Sequence, residues 1–187
     1  AQHLYALSYP GRAPATQARL PDVDLPQRVG IVRSPHRAEA GALAEDASVV
    51  ARARGLDVWE ASSWDLSAVG PHLEGTDVVL CFGGDGTLIR AARAASPHGV
   101  PVAGVNLGRV GFLAEFAPED MDAGWRALLD GRYWVEERVT LHIDHQRAGV
   151  RIGSHLAIND AVVGRGPANH IVRLHTWVGG QYLTSFA

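Results

Sequence analysis

The apolar run Val78-Val79-Leu80-Cys81-Phe82 ends in Gly83-Gly84-Asp85-Gly86-Thr87, and the helix-forming stretch Leu88 to Ala95 begins at once. A strand that turns straight into a helix through five small residues suits a parallel sheet whose strands are joined by helices. The glycines carry no Cβ and tolerate positive φ, so a phosphate or ribose can come close to the main chain. The positive end of the following helix favours an anion there by about 0.3–1 kcal/mol. Asp85 needs a separate explanation, because a carboxylate among phosphate-binding amides repels phosphate. It suits a general base or a holder of Mg²⁺. An N-cap alone would require neither three glycines nor the threonine. No G-x-G-x-x-G follows a strand and no G-x-x-x-x-G-K-[ST] occurs, which sets aside the two commoner glycine motifs for nucleotides.

The flanking sequence carries the same alternation. Val29 to Val32 reads as a strand, Ala38 to Arg54 as an alanine-rich helix stopped by Gly55, and Leu56 to Trp59 as a strand. After the glycine motif and its helix, Val100 to Val105 reads as another short buried strand, and 118–130 as a helix. In such sheets ligands lie beyond the carboxyl ends of the strands, where both Asp85 and Asn106 fall. From Arg132 the pattern changes to period-two alternation over 133–145, 152–163 and 171–178, separated by glycine-containing turns, which marks antiparallel strands. The fold class expected is therefore α/β, an N-terminal doubly wound parallel-sheet domain over 28–131 followed by part of an antiparallel β domain over 132–187. Residues 1–27 hold four prolines without sustained periodicity and are expected to be a loose arm. An antiparallel region ending at Ala187 would leave open sheet edges. Further strands beyond that point, or a second chain in a dimer or tetramer, are expected to cover them.

A second loop, Asn106-Leu107-Gly108-Arg109-Val110-Gly111-Phe112-Leu113, follows its strand as the first glycine motif follows its own. Asn106 can donate and accept, and Phe112 offers a ring face. A third element, Ala157-Ile158-Asn159-Asp160-Ala161-Val162-Val163, sets an amide and a carboxylate inside an apolar run. Burial there without partners would cost roughly 1–3 kcal/mol each.

Taken in order, GGDGT, NLGRVGFL, Arg138 within WVEERVTL, and AINDAVV resemble the NAD kinase family over about residues 28 to 187. GGDGT alone is shared with lipid and sphingoid kinases. The asparagine-led second motif and the Asn-acidic pair separate the NAD kinases from them. The resemblance implies transfer of the γ-phosphate of ATP, or a phosphate of polyphosphate, to the 2′-hydroxyl of the adenosine ribose of NAD, making NADP. It implies Asp85 as the base, Gly83, Gly84, Gly86 and Thr87 around the nucleotide phosphates, and Mg²⁺ with the donor. Asn159 and Asp160 would meet the hydroxyls of NAD, Asn106 would belong to the same cofactor-binding set, and Phe112 would lie against the dinucleotide. Arg90, one turn beyond Thr87, is positioned to meet phosphate charge. The alternatives weighed beside it are a lipid or sphingoid kinase of the same superfamily and a non-catalytic dinucleotide-binding module.

The remaining composition narrows the setting. With 17 Lys+Arg against 20 Asp+Glu in 187 residues, the chain shows no basic stripe, so no nucleic-acid partner is expected. A single cysteine, Cys81, excludes an internal disulfide and suits a reducing cytoplasm. No apolar stretch approaches the roughly 20 residues of a membrane span, so no membrane partner is expected. The nine histidines form no H-E-x-x-H or zinc spacing, and Ser62, Ser63 and Ser185 lack a G-x-S-x-G context.

Overall fold

The computed structural model describes residues 3–8, 25–109, 111, 113–164 and 171–186. Its centre is a six-stranded sheet built from β1 (His3–Ser8), β2 (Arg28–Arg33), β3 (Asp57–Ser62), β4 (Val78–Gly83), β5 (Val102–Asn106) and β6 (Trp134–Val139). The spatial order is β3-β2-β4-β5-β1-β6. All neighbouring pairs from β3 to β1 run parallel, and β6 runs antiparallel to β1.

Helices cover both faces, as a sheet with two apolar faces requires. On one face α1 (Ala38–Ala53) and α4 (Met121–Leu129) bury Ala44, Ala47, Trp125 and Leu128 against Val29, Ile31, Leu80, Phe82 and Val105. The indole of Trp125 donates to the carbonyl of Ala47 at 3.0 Å, so its one polar atom is satisfied inside the core. Arg54 and Asp130, the residues capping the carboxyl ends of these two helices, form an ion pair at 2.6 Å. On the other face α2 (Leu66–Val69) and α3 (Asp85–Ala95) pack Val69, Leu88, Ala91 and Ala92 on Val32, Trp59, Val79, Cys81 and Val102. Alternate residues of β2 and β4 thus face opposite layers, and β4 is buried along its whole length. Burial pushes the Cys81 thiol up, which leaves it an inert part of the core.

Two expectations are corrected here. Residues 1–27 are not a loose arm throughout, because β1 lies within the sheet, parallel to β5 through Ala6 and Val102 and antiparallel to β6 from His3–Val139 to Ser8–Trp134. The prolines that suggested an arm all lie after β1, and β1 satisfies backbone groups that β5 would otherwise leave open. The sheet also extends past residue 131, since β6 is its edge strand. The antiparallel part proper begins at β7 (Leu141–Arg147), which pairs with β8 (Val150–Ala157), and continues in the hairpin of β9 (Leu174–Val178) and β10 (Gln181–Phe186). The long strand expected over 133–145 is divided between two sheets.

Candidate active site

The first glycine motif sits where the last residue of β4 becomes the first turn of α3. Gly83 pairs with Asn106 across β4 and β5, so the two strand-end loops lie side by side. Leu107 N–H donates to the Gly83 carbonyl at 2.8 Å and holds them together. Gly84 is the N-cap of α3 with extended backbone, and Asp85 is the first helical residue. The helix therefore starts three residues before the stretch that its composition suggested.

None of the three motif glycines uses positive φ. Their value lies in the missing Cβ. At Gly83 it would fall 2.2 Å from the Thr87 hydroxyl oxygen, so the glycine is what allows Thr87 to tuck back against the strand end. At Gly86 nothing lies within 4 Å of a Cβ position, and the main chain there is open to an approaching group.

Asp85 is half-buried, and its Oδ1 accepts the backbone N–H of Leu113 at 3.2 Å. This bond ties the carboxylate to the second glycine loop. That loop is closed at its base by Asn106 N–H donating to the Phe116 carbonyl at 2.9 Å. Within it, Asn106 Oδ1 accepts the Gly108 N–H at 3.0 Å, and Gly111 makes room for the same side chain: a Cβ at Gly111 would lie 2.3 Å from Asn106 Nδ2. Asn106 is thus engaged inside its own loop. Phe112 lies outside the described residues.

Two cavities of about 220 Å³ each flank this junction. One is lined by Leu88, Ile89, Gly104, Leu113, Glu115, Arg138, Ile158 and Asn159, among others. Leu113, which donates to Asp85, is one of its walls. The other is lined by Ser34, His36, Ser63, Trp64, Gly84, Gly86, Thr87 and Arg90. Asp85 itself lines neither cavity: its chain neighbours Gly84 and Gly86 line the second, and its carboxylate accepts from Leu113, a wall of the first.

Asn159 lines the first cavity, but the reason offered from sequence is corrected. β8 ends at Ala157, and Asn159 and Asp160 are both exposed beyond it, so neither carries a cost of burial. Asp160 is not among the residues lining either cavity. Arg138 lines the first cavity and holds Glu136 Oε2 at 2.6 Å. Arg90 is half-buried in the second cavity, its guanidinium 3.9 Å from the centre of the Trp64 ring. His36 meets that ring edge-on at 5.1 Å.

Ser34, His36, Ser63 and Trp64 are not among the site residues that the sequence motifs suggest, Ser63 being set aside there for want of a nucleophile context. They follow β2 and β3, whose carboxyl ends lie on the same edge as those of β4 and β5. Strand direction was the signal that could have found them, since ligands in open parallel sheets gather at that edge. Among the described residues no group of three or more His, Cys, Asp and Glu is arranged to hold a metal ion. A Mg²⁺ that arrives on phosphate oxygens needs only one or two carboxylates from the protein, and Asp85 fits that demand.

Fold and site together define a doubly wound α/β protein whose crevice opens on a glycine-rich strand-to-helix junction carrying one carboxylate. Residues 31–133 match the model of the ATP-NAD kinase N-terminal domain. The chain is 32% identical over 163 residues to a protein named NAD kinase from Dehalococcoides mccartyi, a match covering 86% of this chain and 57% of that one. It is 39% identical over 116 residues to the NAD kinase of Heliobacterium modesticaldum, covering 62% and 41%. Among solved structures, yeast NADH kinase complexed with NADH superposes with a TM-score of 0.55 at 18% identity, covering 85% of this chain and 54% of that one, a likeness of fold. The chain belongs to the NAD kinase family. It spans about half the length of the curated relatives that it matches.

Proposed function

We propose that this chain provides the nucleotide-handling half of an NAD kinase, which moves the γ-phosphate of ATP, or a phosphate of polyphosphate, to the 2′-hydroxyl of the adenosine ribose of NAD. The observation that carries this reading is the placement of Asp85, a carboxylate in the first turn of α3 whose chain neighbours Gly84 and Gly86 line one cavity and whose hydrogen-bond partner Leu113 lines the other.

The chemistry asks little covalent work of the protein. Phosphoryl transfer passes through a loose transition state, so alignment and charge neutralisation dominate the rate. Asp85 orients the hydroxyl and accepts its proton as the new O–P bond forms and the phosphoanhydride O–P bond breaks, its electron pair leaving on ADP or the shortened polyphosphate. The α3 N-terminus and the open main chain at Gly86 meet the negative charge of the donor. Asp85 would hold a Mg²⁺ carried by the donor, which would supply further neutralisation of the phosphate charge. Asn159 and Arg138, on the wall of the first cavity, serve the dinucleotide, Asn159 through hydrogen bonds to its hydroxyls. The single, buried Cys81 suits a cytoplasmic setting. The exposed apolar residues of β7 to β10 support assembly as a homo-oligomer.

The test is formation of NADP from NAD, ATP and Mg²⁺ by this chain, with polyphosphate as a parallel donor and Asp85→Asn as the control. The substitution should lower turnover by about 10²–10⁴-fold while leaving donor binding intact or slightly tighter, because a repelling charge is removed. Turnover that survives in Asp85→Asn would remove Asp85 from the reaction.

A further inference from the structure

The second cavity has a wall that the glycine motif does not supply. Ser63 is 1% exposed at the end of β3, lines the cavity, and its hydroxyl has no hydrogen-bond partner. An unmade hydrogen bond on a buried hydroxyl works against stability, and a site that keeps one has a use for it. Its backbone is already committed, with the Ser63 N–H donating to the Arg33 carbonyl at 2.9 Å, so only the side chain is available. Opposite stands the N-terminal turn of α3, an 11-residue helix, with Thr87 and the open Gly86. Arg90 brings a full positive charge, and its guanidinium is stacked on Trp64 rather than free to swing. None of the lining residues is acidic. The nearby acid Asp65 is committed to its own loop, where its Oδ1 accepts the Ser67 hydroxyl at 2.5 Å and the Ala68 N–H at 3.1 Å.

Resting on the phosphotransferase reading above, we infer that the loop after β3 is a determinant of donor affinity: Ser63 donates to a terminal phosphate oxygen of the donor, and Trp64 is a positioning residue that fixes Arg90 against the same phosphate. Rotation about the Cα–Cβ bond of Ser63 turns its hydroxyl toward the cavity when an acceptor is present. The recognised chemistry is the end of a phosphoanhydride chain, which ATP and inorganic polyphosphate share.

The experiment measures binding of inorganic tripolyphosphate and of ATP to the full chain by titration calorimetry, so that no catalysis is needed. Ser63→Ala should weaken both about tenfold, in keeping with the loss of one hydrogen bond to a charged group. The same variant should melt no lower than the parent, because it deletes an unsatisfied polar atom. Trp64→Leu should weaken binding to a similar degree, Trp64→Phe should restore it, and Trp64→Leu should add nothing once Arg90→Gln is present. Equal effects on tripolyphosphate and ATP assign the contacts to the phosphates of either donor. Effects confined to ATP would overturn the inference, because the contacts would then belong to the nucleoside and not to the phosphate chain. Parental affinity for both probes in Ser63→Ala and Trp64→Leu would overturn the inference, as would a lowered melting temperature in Ser63→Ala with affinity unchanged. Tripolyphosphate binding that depends on Ser63, in a chain that binds no ATP, would instead overturn the kinase reading and leave the pocket standing.

Discussion

Asn106 and Gly111 behave as one unit, the amide filling the volume that the missing Cβ leaves. Gly111→Ala should therefore act through Asn106, forcing its side chain off the Gly108 N–H and loosening the loop whose Leu113 N–H restrains Asp85. We expect kcat/KM for NADP formation to fall about tenfold, the scale of one hydrogen bond. In an Asn106→Ala background the same change should cost almost nothing further, and a full additive loss in that cycle would refute the coupling. The spacing of these residues was legible in the sequence, but the reason for it was not. Asn106 reads as a ligand donor when its neighbours are unknown, whereas its carbonyl oxygen is engaged within the loop. In the same way, the glycines of the first motif suggest unusual φ, although the contact of Gly83 with Thr87 concerns volume.

Among the elements, α1 and α4 share one face of the sheet and lean on Trp125, which reaches the core with its indole N–H satisfied by Ala47. Trp125→Ala should lower stability by about 3–5 kcal/mol in chemical denaturation, the range for emptying a large aromatic site. A change under about 1 kcal/mol would mean that the two helices do not depend on it. The short α2 is held differently. The Ser67 hydroxyl and then the Ala68 N–H bond to Asp65 and keep its carboxyl below the ordinary value of 3.8. A depressed folded-state value means that this stabilisation is complete above the unfolded value and fades as pH falls through the folded one. Asp65→Asn should thus differ from the parent in thermal stability at neutral pH, and the two melting temperatures should converge in acid, below the ordinary carboxylate range. The long helices and buried strands were readable from their periodicity because each buries one stripe or a full apolar run. α2 was missed because four residues are too few to show a period, and β1 because its partners lie far along the chain.

At the scale of the molecule the two ends of the structure contrast. The central strands β2, β4 and β5 are covered on both faces, while the hairpins leave Val150, Ile152, Trp177, Val178, Tyr182, Leu183 and Phe186 exposed. Apolar surface of that kind favours association. The chain should show a weight-average mass that rises with concentration in sedimentation equilibrium, and Trp177→Ser with Leu183→Ser should shift it toward the monomer. A monomeric mass at micromolar concentration in the parent would count against self-assembly. The antiparallel character of this region was evident from its alternation, but which strands would join which sheet was not, because alternation fixes faces and leaves partners open. The insertion of β1 between β5 and β6 has a consequence for biosynthesis. A chain made from its N-terminus can pair β2, β3, β4 and β5 as they emerge from the ribosome, yet β1 gains its long antiparallel partner only after Val139 has been made. β1, made before β2 to β5, is thus among the last strands of its sheet to be seated, and until then its backbone is open to a chaperone or a neighbouring nascent chain.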